Sequence, residues 1–338
     1  MNLDTSILSD EQLAGQRLIL GFDGTTLNDD LMFVIDELKA GGVILFSRNI
    51  KNPQQVKDLC FSMQEFAKKC GQPALFISID QEGGQVARLK KPFTEFQGNP
   101  YITTTDDALV FAETTASELK SIGVNMDMAP VLDIVPESIN TSGIMFKRTF
   151  SHDINITSQL GCIIIDKLQE HGIMAVGKHF PGIGRTILDS HVYLPYLDID
   201  SETLFSSDLV PFQASINHNV AGIMLSHILY TQIDDKFPAS LSKIIAYNIL
   251  REKMGFKGIV MTDDLDMGAL KGFDIKTVLG CIIEADIDIA LICHKNPNRE
   301  IAFKAFKESF KNEKLRQKSL DAISRIFELK KAYLYINT

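Results

Sequence analysis

Asp189 and His191 stand two residues apart in the stretch Gly172–Pro195, which reads GIMAVGKHFPGIGRTILDSHVYLP. In extended backbone, positions i and i+2 point to one side, so the carboxylate can reach the imidazole. A carboxylate on one ring nitrogen fixes the tautomer and direction of a histidine that moves protons. The pair is therefore a candidate acid/base dyad. Ile173–Val176, just upstream, is apolar and partly β-branched, the composition of a strand buried on both faces. Lys178, His179, a Pro-Gly pair and Gly184 then turn that strand into a loop. Such flanks leave the loop free to bring His191 toward a bound substrate.

Other groups sit where a ligand could meet them. Asp263 and Asp264 close an apolar run in GIVMTDDLDM. On a regular strand one of them should point into a site and the other away. A strand-end aspartate can act on a ligand or cap the next helix. Asp80 ends a second run, in FISIDQEGGQVARL, where Gly83 and Gly84 permit close ligand approach. It is suited to accept hydrogen bonds from sugar hydroxyls, or to stabilise a turn. Arg88 either pairs with an acidic neighbour or reaches the ligand. Lys178 can form a Schiff base, as in barrel aldolases, or donate hydrogen bonds beside His179. Arg148 is a second cationic donor or a solvated surface charge. His227 lines a pocket or is a satisfied core histidine. The glycines of PGIG and FDGTT do not match a phosphate-binding loop.

Eight apolar, strand-like runs position these groups: 16–22, 42–48, 75–81, 124–130, 172–179, 220–227, 258–264 and 287–294. Segments of helical periodicity separate them, at 30–40, 53–69, 107–122, 157–170, 204–217, 240–254 and 275–285, and 298–334 reads as further helix. Eight strand–helix units match an α/β fold of the (β/α)8 TIM-barrel type. A doubly wound open sheet alternates in the same way. The polar strand ends favour the barrel, because in a barrel all of them face one site. With no linker or repeat in view, residues 1–338 are expected to form a single catalytic barrel domain.

Composition removes several function classes. A net charge of −9 argues against a nucleic-acid partner, which needs a basic face. No apolar run reaches the ~18 residues of a membrane span. The N-terminal MNLDTSILSDEQLAGQ lacks a basic start and an apolar core, so no secretion signal is expected. The five cysteines are scattered without metal spacing and read as reduced core thiols. A cytoplasmic protein without metal or other cofactor follows as the expectation.

Several longer motifs occur together: GVILFSRN, IDQEGGQVARL, APVLDI, KHFPGIG, DSHVYLP, PASLS and GIVMTDDLDM. In sequence and order they closely resemble glycoside hydrolase family 3, in its β-N-acetylglucosaminidase branch, over nearly the whole chain. The resemblance implies a retaining enzyme that removes terminal, non-reducing N-acetylglucosamine from peptidoglycan fragments, a muropeptide or a disaccharide. By position it makes Asp263 the nucleophile, His191 the acid/base and Asp189 its orienting partner. Asp80, Arg148, Lys178 and His179 become residues that hold the sugar, with Arg88 beside them. The family's larger β-glucosidases take an acid/base glutamate from a second domain, for which 338 residues leave little room. Ile183, Gln85 and Met145-Phe146-Lys147 depart from the family's usual residues.

Overall fold

The computed structural model describes residues 3–137, 145–186, 188, 190 and 192–335. Eight parallel strands close into a barrel: β1 Leu18–Gly21, β2 Gly42–Leu45, β3 Phe76–Ile79, β4 Met126–Asp127, β5 Met174–Phe180, β6 Gly222–Leu225, β7 Ile259–Asp264 and β8 Ile289–Ile292. Each strand pairs with the next in sequence, and β1 pairs with β8. Every predicted run thus contains a barrel strand. Closure rules out the open sheet and turns all C-terminal strand ends toward one mouth.

Each run is longer than its strand, and β5 and β7 keep their polar strand-end residues within the ladder. The shortest strand, β4, has a physical reason for its length. Pro130, just beyond it, has no N–H to give to a ladder. The chain nevertheless continues beside β5: Lys178 N donates to Pro130 O, and Leu132 N donates to Lys178 O at 2.7 Å. Asp133 is thereby carried to the mouth next to His179.

Helices cover the barrel where periodicity predicts them, and side-chain caps set their starts. Asn52 accepts from Gln55 N ahead of Pro53–Lys69, Thr104 and Asp107 form a capping box ahead of Thr105–Ser121, and Asp153 caps Ile154–Glu170. Three readings change. The run at 204–217 is split into Ser201–Ser206 and Val210–Asn217, with buried Asp208 in the turn between them. Pro211 suits the first turn of the second helix, where its missing N–H costs nothing. The run at 240–254 winds as a π-helix over Ile244–Lys253, and the tail divides into Asn298–Ser309 and Glu313–Leu334. Among the described residues no helix is long and apolar enough to cross a membrane.

Candidate active site

A cavity of about 220 Å³ opens at the C-terminal ends of the strands, and Asp80, Arg88, Arg148, Lys178, His179 and Asp263 all line it. Six of the eight candidate residues are therefore brought together from β3, β5, β7 and two loops. The other two, Asp189 and His191, lie outside the described residues. A wider groove of about 860 Å³ lies at the opposite end of the barrel. Arg251 and Arg325 there pair with Asp286 and Asp288, which leaves the groove's buried charges mutually satisfied.

The cationic and anionic groups form one chain of contacts. Lys178 Nζ, at the end of β5, lies 2.7 Å from Asp80 Oδ1 and 2.6 Å from Glu82 Oε1. Arg148 grips Glu82 in a fork, Nη2 donating to Oε1 at 2.7 Å and Nε to Oε2 at 2.9 Å. Arg148 Nη2 also stands 3.2 Å from His179 Nε2. His179 Nδ1 lies 2.8 Å from Asp133 Oδ2, which also accepts from His179 N at 3.1 Å. At the other end of the chain Arg88 Nη2 donates to Asp80 Oδ2 at 3.0 Å while its guanidinium lies over Phe46. Arg88 both pairs with an acid and lines the cavity, so its two readings are not exclusive.

Pairing decides the protonation states. Burial alone would raise the Asp80 carboxyl, but Lys178 and Arg88 outweigh it and hold it well below the usual carboxylate range. Glu82 is lowered in the same way, against its burial, by Lys178 and Arg148. For Lys178, burial works against the ammonium, and Asp80 and Glu82 overcome it and raise its pKa. A lysine held as a cation by two carboxylates is a hydrogen-bond donor, not the free amine that Schiff-base chemistry needs.

Asp263 and Asp264 end β7 together, and both line the cavity. This differs from the one-in, one-out expectation because the pairing of β7 with β8 slips between Met261 and Asp264. Their environments push them apart. Burial opposes the Asp263 charge, but His227, His179, the Asp264 N–H and Lys178 together lower its pKa. Asp264 is pushed up to about 6 by burial, with Asp266 and Asp263 adding repulsion. Asp263 is the ionised partner of the two. His227 supports this corner from below, with Nδ1 2.6 Å from Ser240 Oγ and Nε2 2.9 Å from Asp264 O.

Asp264, Asp266 and His294 are metal-ligand types gathered within 4.8 Å. The two carboxylates already order the chain: Asp264 accepts from Asp266 N and Cys293 N, and Asp266 accepts from Asn296 and Asn298 side chains and His294 N. That role accounts for their proximity.

Sequence reasoning missed Glu82 and Asp133, and it read Asp127 only as one of the polar strand ends. Glu82 had a usable signal, since it follows Asp80 by two and both reach Lys178 Nζ. Asp127, fully buried beneath the network, accepts from Gln81 N at 2.9 Å, and its other oxygen has no partner among the described residues.

The chain matches the model for the glycosyl hydrolase family 3 N terminal domain over residues 10–329. A β-hexosaminidase of Haemophilus influenzae is 33% identical over 82% of this chain and 79% of its own length. A solved family 3 β-N-acetylglucosaminidase from Paenibacillus sp. superposes with a TM-score of 0.92 at 31% identity, covering 98% of this chain, which spans 64% of that one. NagZ of Neisseria gonorrhoeae, solved with N-trifluoroacetyl-D-glucosamine, superposes with a TM-score of 0.73 at 25% identity, covering 92% of this chain and 98% of its own.

Proposed function

From a chain that belongs to glycosyl hydrolase family 3, and is thus a glycosidase, we propose a retaining exo-β-N-acetylglucosaminidase. Its nucleophile is Asp263, its acid/base His191, and Asp189 orients the imidazole. The substrates are peptidoglycan fragments, muropeptides or disaccharides that end in N-acetylglucosamine, and the setting is the cytoplasm where such fragments are recycled.

The observation that carries this reading is that ionised Asp263 shares one small cavity with the Asp80–Lys178–Glu82–Arg148–His179 chain. A network of fixed donors and acceptors suits the hydroxyls of a terminal sugar, and a cavity of about 220 Å³ suits one ring more than a glycan chain. Asp263 attacks the anomeric carbon as the bond to the leaving oxygen breaks, and His191 gives that oxygen a proton. Water then attacks the glycosyl ester, His191 takes the water's proton, and Asp263 leaves as a carboxylate. Asp189 stabilises the imidazolium before the first proton transfer and again after the second; acid–base help of this kind is worth about 10²–10⁴-fold. The β-hexosaminidases and β-N-acetylglucosaminidases among its relatives support the choice of sugar.

The test is an activated N-acetylglucosaminyl fluorosugar that traps the glycosyl-enzyme, followed by peptide mass mapping. Label on the peptide 258–267 at Asp263 is the expected result. An oxazoline released from the substrate's own acetamido group, with no labelled peptide, overturns the covalent route.

A further inference from the structure

The segment between Ile183 and Pro195 carries both proposed proton-transfer residues, and its first turn is fastened from outside the cavity. Arg185 Nε donates to Asp208 Oδ1 at 3.1 Å and to Oδ2 at 2.9 Å. Arg185 Nη2 donates to Ser207 Oγ at 3.0 Å, and Ser207 Oγ donates in turn to Asp208 Oδ2 at 2.5 Å. Asp208 is 1% exposed, in the turn that interrupts the helix run, and the Arg185 side chain is 25% exposed. Beneath the same turn Tyr230 Oη donates to Gly182 O at 2.7 Å. There is no slack at this point. A Cβ on Gly184 would lie 1.9 Å from Ile134 O, and one on Gly182 would lie 2.9 Å from Asp208 Cβ.

Further along the segment, backbone bonds tie two described residues. Ala269 N donates to Ser190 O at 3.1 Å, and Leu229 N donates to Pro195 O at 3.0 Å. On the near side, the fork ties Arg185, four residues before Asp189 in sequence, to a buried carboxylate. None of Arg185, Ser207 or Asp208 lines the cavity, so the fork acts on the segment and not on the sugar.

We infer that Arg185 and Asp208 are positioning residues that set the reach of the segment bearing His191, and so govern proton delivery to the leaving oxygen. The inference rests on the proposed role of His191. A misplacement of about 1 Å in a reacting group costs on the order of 10²-fold. Loss of the fork should therefore act on the step that needs the proton and spare the step that does not.

The experiment compares kcat/KM for a dinitrophenyl and a methyl β-N-acetylglucosaminide in Asp208→Asn, Arg185→Ala, their double variant and His191→Ala. The expected result is a loss of about 10–100-fold on the methyl glycoside and less than about threefold on the dinitrophenyl one. The double variant should lose no more than the worse single variant, because one fork is broken in all three. If Asp208→Asn does not fold, Arg185→Ala removes only partly exposed atoms and carries the same expectation. Equal losses on both substrates, or additive losses in the double variant, overturn the inference. If His191→Ala is selective for the methyl glycoside and the fork variants are not, the positioning role fails alone. If His191→Ala itself shows no selectivity, the acid assignment falls and takes the positioning role with it.

Discussion

His179 is held at both ring nitrogens, by Asp133 Oδ2 at 2.8 Å and by Arg148 Nη2 at 3.2 Å. A guanidinium has no acceptor, so Nε2 must be the bare nitrogen and Nδ1 carries the proton toward Asp133. The orientation of the ring depends on a carboxylate that does not line the cavity. Asp133 Oδ1 also accepts from Ile183 N at 2.8 Å, which ties the ring to the turn entering the segment of residues 189 and 191.

Asp133→Asn replaces an acceptor with a side chain that can also donate. The ring can then turn its proton to the Arg148 side, where it faces another donor. Losing a charge-assisted hydrogen bond of about 1.5–3 kcal/mol should raise KM for an aryl β-N-acetylglucosaminide by about tenfold or more. Steady-state kinetics decides this. A KM within twofold of the parent removes Asp133 from the support of the sugar site.

Asp263→Ala removes the proposed nucleophile without touching the Lys178 network. Turnover should fall by about 10⁴-fold or more, with thermal stability close to the parent's. Azide enters the space left by the carboxylate and attacks from the same face, so an activated β-glycoside should yield the α-glycosyl azide. Recovery of the β-azide, or residual activity above about 1% of the parent, would place the nucleophile elsewhere.

Asp127 supplies a pH signature with a defined sign. Burial pushes its carboxyl up to about 7, with Asp80 and Glu82 adding repulsion against the Gln81 N–H and Lys178. Below about pH 4 the folded and unfolded chains both hold this proton. Between about 4 and 7 the unfolded chain releases it first, so rising pH lowers stability by at most ~1.4 kcal/mol per pH unit, and the loss levels off above 7. Asp127→Asn keeps an acceptor for Gln81 N and has nothing to titrate. Its melting temperature should gain on the parent's from pH 4 to 7 and then hold that lead. Parallel melting curves across this range would mean that Asp127 is ionised throughout.

The barrel was legible because each strand is an apolar run bounded by polar groups, and closure itself followed from those groups sharing one end. Lys178 and Asp80 were legible for the same reason, as charges stranded at the ends of buried segments, whereas Arg148 was singled out for the site only by the family resemblance. Asp133 was not, because the run was taken to stop at Pro130, and only the continued pairing beside β5 brings the carboxylate to His179. The joint exposure of Asp263 and Asp264 to the cavity was hidden as well. A register slip depends on how two strands meet, and strict alternation along one of them carries no trace of it.

Glu82 holds two cations of the proposed sugar site. It is 2% exposed and takes Lys178 at 2.6 Å and the Arg148 fork at 2.7 and 2.9 Å. Glu82→Gln keeps the shape but removes the charge, leaving Lys178 with Asp80 alone and Arg148 with no acid in direct contact among those described. Removing one partner of a buried ion pair costs about 3–5 kcal/mol, read as the loss in urea unfolding free energy at pH 7. The sign of the pH dependence follows from the lowered pKa of Glu82. Its contribution is complete above the unfolded value of 4.5 and is lost as pH falls through the lower folded value. Parent and variant should therefore differ most at neutral pH and converge in acid. A loss below about 1 kcal/mol at pH 7, or a gap that widens as pH falls, would show that Lys178 and Arg148 draw their stability from other groups.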